Sequence, residues 1–109
     1  MNSNRPLVSI LAPCYNGSKY LETFFESLLI QDYKSLELIL INDGSTDNSE
    51  EAVFRYRERL ENAGMSLIYE YQENAGIGEA IDRGLNCCMV SILHGLELMI
   101  IIILNFSLN

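Results

Sequence analysis

The 109-residue sequence predicts an α/β fold, a parallel sheet with flanking helices, on three observations. Apolar runs of strand length occur at 7–11 and 38–41, and 66–71 alternates Leu67, Tyr69 and Tyr71 with Ile68 and Glu70. Between them lie two segments whose apolar residues recur at helical spacing, and the first two runs stop abruptly in polar, glycine-containing loops. A strand–helix–strand–helix–strand succession closes as a right-handed parallel unit. Sheets of this kind take ligands in the crevice beyond the carboxyl ends of their strands.

Each element follows from local chemistry. The first strand is expected over Leu7–Ala12, with Pro13 ending its hydrogen bonding and Asn16-Gly17 forming a turn. A helix over Ser18–Ile30 is implied by the stripe Tyr20, Leu21, Phe24, Phe25, Leu28 and Leu29. The second strand, Glu37–Ile41, is continuously apolar from Leu38, the mark of a strand buried on both faces. A second helix, Asn48–Ala63, buries Ala52, Val53, Tyr56 and Leu60 and turns Arg55, Arg57, Glu58 and Arg59 to solvent. Asp47 with Glu50 resembles a reciprocal capping arrangement at its start, and Gly64 is a natural stop. The third strand, Ser66–Tyr71, precedes a short helix around Gly78–Leu85.

Two strand ends carry the candidate site. Asp43 follows the second strand and is placed to accept hydrogen bonds in the crevice, while Gly44 permits a sharp turn after it. Tyr15 follows the first strand, where a flat ring stacks on a base or sugar or simply lids the core. Together they suggest a nucleotide pocket. The loop Glu73–Ala80 contains Gly76-Ile77-Gly78, but Ile81 stands where a dinucleotide fingerprint needs its third glycine, so dinucleotide binding is set aside.

The motifs Val8-Ser9-Ile10-Leu11-Ala12-Pro13-Cys14-Tyr15-Asn16-Gly17, Tyr20-Leu21, Ser27-Leu28, Gln31-Asp32-Tyr33, Glu37-Leu38-Ile39 and Asn42-Asp43-Gly44-Ser45-Thr46-Asp47 occur in this order. They resemble the family 2 glycosyltransferases, whose GT-A fold is a Rossmann-like parallel sheet with flanking helices, present here in incomplete form. The resemblance covers residues 7 to about 85. It implies a nucleotide-diphosphate-sugar donor, most often a UDP-sugar, inverting transfer, and a divalent metal (Mn or Mg) on the diphosphate. It implies that Tyr15 stacks on the nucleobase, that Asp43 hydrogen-bonds it, and that the main chain at Ala12 and Pro13 frames the pocket. Asn74, Gly76, Ala80, Gly84 and Leu85 match a further family segment. Where relatives place an arginine that supports the phosphates, Ile81 stands instead, with Arg83 two residues on.

Composition sets further bounds. A formal net charge of −8 excludes nucleic acid and anionic membrane as electrostatic partners. Met1–Pro6 lack the apolar segment of a secretory signal. Cys14, Cys87 and Cys88 lack metal-ligand spacing, and reduced thiols suit a cytoplasmic setting, at the inner membrane face where many relatives act. All seven Lys and Arg and fourteen of the fifteen acids lie in residues 1–83; beyond Gly84 only His94 and Glu97 are ionisable apart from the cysteines. Residues 1–85 thus read as the amino-terminal part of the glycosyltransferase domain and 86–109 as an apolar tail. That tail is out-of-frame sequence, a diverged fourth strand at Leu98–Leu104, or a membrane segment over Cys87–Phe106. The family's Asp-x-Asp metal ligands and its acceptor half are absent, so no metal site, catalytic base or acceptor is assigned. The expected function is a glycosyltransferase donor domain that alone transfers no sugar, within a family whose acceptors include polysaccharide, lipid and protein. The alternative is a catalytically dead remnant serving as a weak nucleotide-binding or interaction module.

Overall fold

The apolar runs form one parallel sheet in a computed structural model that describes residues 7–93 and 99–107. In chain order the elements are β1 (Leu7–Tyr15), α1 (Ser18–Ile30), β2 (Leu36–Asp43), α2 (Ser49–Asn62), β3 (Ser66–Gln72), α3 (Ile77–Leu93), β4 (Met99–Ile103) and β5 (Phe106–Ser107). The sheet order is β3-β2-β1-β4, with β5 also pairing β1, and every ladder is parallel. This is the α/β architecture that the alternating pattern predicts.

Side-chain alternation divides the core. Ile10, Ala12, Cys14, Leu36, Leu38 and Leu40 face Leu21, Phe25 and Leu28 of α1 and Val53, Tyr56 and Leu60 of α2. Leu11, Ile39 and Ile41 face Ala80 of α3 on the other side, with Ile81 packed beside them. All eight residues of β2 are buried, in keeping with its apolar run from Leu38 to Ile41. Each fully buried side chain such as Phe25 or Ile39 contributes roughly 1.5–3 kcal/mol. One carboxylate lies within this layer: Glu37 is buried and accepts a hydrogen bond from Ser9 Oγ at 2.8 Å.

Helix α2 ends as expected. Gly64 takes φ +102°, its N–H bonds Glu61 O, and the Met65 N–H bonds Leu60 O, so the last carbonyls are satisfied in a Schellman arrangement. The charged face of α2 does more than meet solvent. Arg55 pairs with Glu22 and Arg59 with Glu26 of α1, and Tyr56 Oη donates to Glu26 at 2.7 Å. These hydrogen bonds hold the Glu26 carboxyl below its usual range.

Three expectations are corrected. First, β1 runs through Pro13 to Tyr15, with Pro13 opposite Ile41. Leu11 O accepts from Leu104 N, so strand alternation turns the position of the missing Pro13 N–H to the same side. There the ladder is interrupted between β4 and β5, and a proline costs no hydrogen bond. Second, α3 has 17 residues and extends well past the short helix expected around Gly78–Leu85. Third, the fourth strand considered for Leu98–Leu104 spans Met99–Ile103, pairs with Leu7–Leu11, and leaves Ile102 and Ile103 42% and 49% exposed. Among the described residues no helix is long and apolar enough to cross a membrane. Met1–Pro6, His94 and Glu97 lie outside the described residues.

Gly84 fixes how closely α3 approaches the sheet. A β-carbon there would run into Leu11 Cδ1, and Leu11 is fully buried. Gly84→Ala is therefore expected to destabilise the fold by about 1–3 kcal/mol through overpacking, despite alanine's better helix propensity. Urea unfolding of the two proteins checks this; a raised midpoint in the variant would contradict the close approach.

Candidate functional site

The parallel register places the site. Cys14 pairs with Asn42, so the next residues, Tyr15 and Asp43, end adjacent strands side by side, about 4.8 Å apart in the sheet. Alternation sends both side chains to the face that α3 covers, since Leu11, Ile39 and Ile41 point there. Tyr15 is half-buried, and Asp43 is 4% exposed.

Asp43 is anchored on every side. Its Oδ1 accepts from Gln72 Nε2 at 2.8 Å and from Ala75 N at 2.8 Å, and its Oδ2 accepts from Gly76 N at 3.0 Å. Asn74 Nδ2 donates to the Asp43 carbonyl at 3.2 Å. One carboxylate thus draws the β3–α3 loop over the end of β2. An ionised carboxylate has room for about four donors, so one acceptor position is left. Gly44 makes the approach possible: its φ is +75°, and a β-carbon there would lie 2.6 Å from Asn74 N.

A second set of hydrogen bonds ties the β1–α1 loop to the β2–α2 loop. Asn16, at φ +54°, accepts at Oδ1 from Thr46 N (2.7 Å) and Asp47 N (3.2 Å), while its own N–H donates to Ser45 Oγ at 2.9 Å. In return Asp47 Oδ2 accepts from Ser18 N at 3.1 Å, and its Oδ1 accepts from Ser49 N and Ser49 Oγ at 2.9 and 2.6 Å. Ser18 and Ser49 begin α1 and α2, so one carboxylate serves both helix starts in place of the reciprocal Asp47–Glu50 cap expected. Burial raises the Asp47 carboxyl, but the hydrogen bonds from Ser49 and Ser18 outweigh it and leave it below its ordinary value. In the Asn16-Gly17 turn, Asn16 carries the left-handed backbone, and Gly17 is required because a β-carbon would strike Phe106 O.

Tyr15, Asp43, Asn74 and Gly76 converge at one edge. Ala12 and Pro13 lie deeper, buried in the sheet opposite Leu40 and Ile41. Ile81 packs into the core under α3, and Arg83 turns away to bond Tyr71 O at 3.0 Å and face Glu70. Beside Gln72 an open groove of about 500 Å³ is lined by Glu70, Glu79, Asp82 and Arg83 among others, a negative surface. Among the described residues no group of three or more His, Cys, Asp or Glu side chains is placed to hold a metal ion. Cys14 and Cys87 are free thiols, both pushed up by burial and so poor nucleophiles. Asn16 and Asp47 are the site residues that motif reading did not assign to the site; Asn16-Gly17-Ser18 after β1 and the crowding of Asn, Asp and Ser after β2 were their one signal.

Residues 9–93 match the family described as Glycosyl transferase family 2. An uncharacterised glycosyltransferase of Rickettsia typhi is 40% identical over 84 residues, 77% of this chain and 24% of that protein. The mannosyltransferase PcManGT of Pyrobaculum calidifontis, solved with GDP-Man and Mn2+, superposes with a TM-score of 0.65 at 29% identity, covering 78% of this chain and 25% of that one. TarS of S. aureus, solved with UDP, gives a TM-score of 0.71 at 24% identity, over 92% of this chain and 27% of that one, a likeness of fold. The chain spans about a quarter of the length of each of these proteins.

The lowered Asp47 carboxyl sets a pH dependence. A carboxyl that titrates lower folded than unfolded adds stability above the unfolded value, near about 3.9, and loses it as pH falls through the folded value. Asp47→Asn is expected to be less stable than the parent at neutral pH, with the two urea midpoints converging below about pH 4. Parallel midpoints across that range would contradict the assignment.

Proposed function

This chain belongs to glycosyl transferase family 2, and on that basis we propose that it is a donor-binding portion that holds a nucleotide-diphosphate sugar, with uracil as the base, between Tyr15 and Asp43. The observation that carries this reading is the register that sets an aromatic ring and a buried carboxylate side by side at the carboxyl edge. The ring offers a stacking face for the base, and the remaining acceptor position on Asp43 suits a ring N–H of uracil. Asn74 and Gly76 contribute by fixing that carboxylate, and the main chain at Ala12 and Pro13 forms the floor beneath it. Support for a nucleotide sugar as ligand comes from PcManGT, which holds GDP-Man.

In the inverting transfer that the family resemblance implies, an acceptor hydroxyl attacks the anomeric carbon and gives its proton to a base not assigned in this chain, while the bond to the diphosphate breaks and the nucleoside diphosphate leaves. A divalent metal is expected to offset the diphosphate charge in the family. The described residues do not fit one, and the adjacent groove is acidic, so no step is assigned through a metal here. The 109 residues alone are proposed to bind without transferring. The remnant reading is favoured by Ile81 in the place of an arginine and by this missing donor cluster.

Calorimetric titration with UDP, GDP and cytidine diphosphate, with and without manganese, separates the two. The donor reading expects UDP to bind better than cytidine diphosphate, since cytosine lacks the ring N–H. Tyr15→Ala is expected to weaken UDP by about 1–3 kcal/mol, roughly 5- to 150-fold, and Asp43→Asn to remove the preference for uracil. No heat at millimolar UDP would favour the remnant, and release of sugar from any nucleotide sugar by the purified chain would overturn the expected inactivity.

A further inference from the structure

We propose that Asn16 is a positioning residue that couples the three loops of the carboxyl edge, so that its carboxamide sets how firmly Asp43 holds the β3–α3 loop some 60 residues away in sequence. The contacts form a continuous chain. Asn16 receives Thr46 N and Asp47 N and gives its own N–H to Ser45 Oγ. Ser45 N donates to Asn42 Oδ1 at 3.0 Å, which fixes the backbone on both sides of Asp43. Gly44 lies flush against Asn74, and Asp43 receives Ala75 N and Gly76 N. Each link has a geometric reason to be stiff: a left-handed Asn16, a positive-φ Gly44 and a carboxylate 4% exposed.

The functional content is that Tyr15 and Asp43 hold a fixed relation because the residues flanking them are bolted together. Asn16 directly follows Tyr15, and Ser45 lies two residues beyond Asp43. Without the carboxamide the two strand ends keep their ladder, and the first two loops are left joined through the Asn16 and Ser18 N–H groups alone, to Ser45 Oγ and Asp47 Oδ2. The coupling stands on hydrogen bonds alone; its effect on ligand affinity rests on the base site proposed above.

The test is Asn16→Gly in the full chain, which keeps the left-handed backbone without strain and removes only the acceptor. Amide exchange followed by NMR should show Thr46 and Asp47 exchanging faster, and Ala75 and Gly76 accelerated by about tenfold as well. Gly64→Ala, remote at the end of α2 and strained at φ +102°, serves as a control of general destabilisation. Asn16→Asp, which retains an acceptor oxygen, should restore protection at Ala75 and Gly76. If those two amides change no more in Asn16→Gly than in Gly64→Ala, the coupling is refuted. A second readout is UDP affinity, expected to fall about tenfold in Asn16→Gly and to recover in Asn16→Asp. Unchanged UDP affinity with accelerated exchange would overturn the positioning role while leaving the loops coupled. Absence of UDP binding in the parent would count against the base site, and exchange would then decide the coupling by itself.

Discussion

The parallel pairing of β1 with β2 is the constraint on which the remaining geometry depends. Its register sets Cys14 opposite Asn42 and therefore Tyr15 beside Asp43. A slip of one residue would turn Asp43 into the α1–α2 core and send Leu38 and Leu40 to the opposite face. The continuous burial of β2 makes such a slip costly at every position, since both faces are packed. A strand-end polar residue inherits its placement from the apolar residues before it.

Polar groups at that edge are arranged in pairs that satisfy one another. Among the described residues, every buried side-chain nitrogen and oxygen has a hydrogen-bond partner. Asp43 and Asp47 carry much of this load, each gathering backbone N–H groups that would otherwise be left open at a loop or helix start. In an acidic chain of net charge −8, these two carboxylates are held in place by uncharged donors, most of them from neighbouring elements. The acids along the neighbouring groove have one guanidinium, Arg83, among them.

Much of the fold was legible because it rests on period and punctuation. The α1 stripe, the unbroken run of β2 and the Gly64 stop each encode their element within a few residues. Tyr15 and Asp43 were legible by position, as polar residues just past apolar strands. The rest depends on contacts distant in sequence. Pro13 reads as a strand end until the gap between β4 and β5 explains it. The length of α3 was hidden because the charged residues that mark a solvent face stop near Gly84, a glycine that marks a close approach to Leu11. The Asn16–Asp47 contacts link residues about 30 apart and leave no periodic trace. For Ala12 and Pro13 the family motif indicated a place near the pocket, while the sheet buries their side chains.

The loop contacts also imply an order of assembly. Asn16 and Ser18 bind the loop that follows β2, and Asp43 binds the loop that follows β3, so each βα unit engages the one synthesised immediately after it. Strands pair in the same succession, β1 with β2 and β2 with β3, while β4 joins the far side of β1 last. A chain leaving the ribosome therefore delivers the parts of its cleft in the sequence in which they fasten, and the cleft's own hydrogen bonds are complete once Gly76 has emerged.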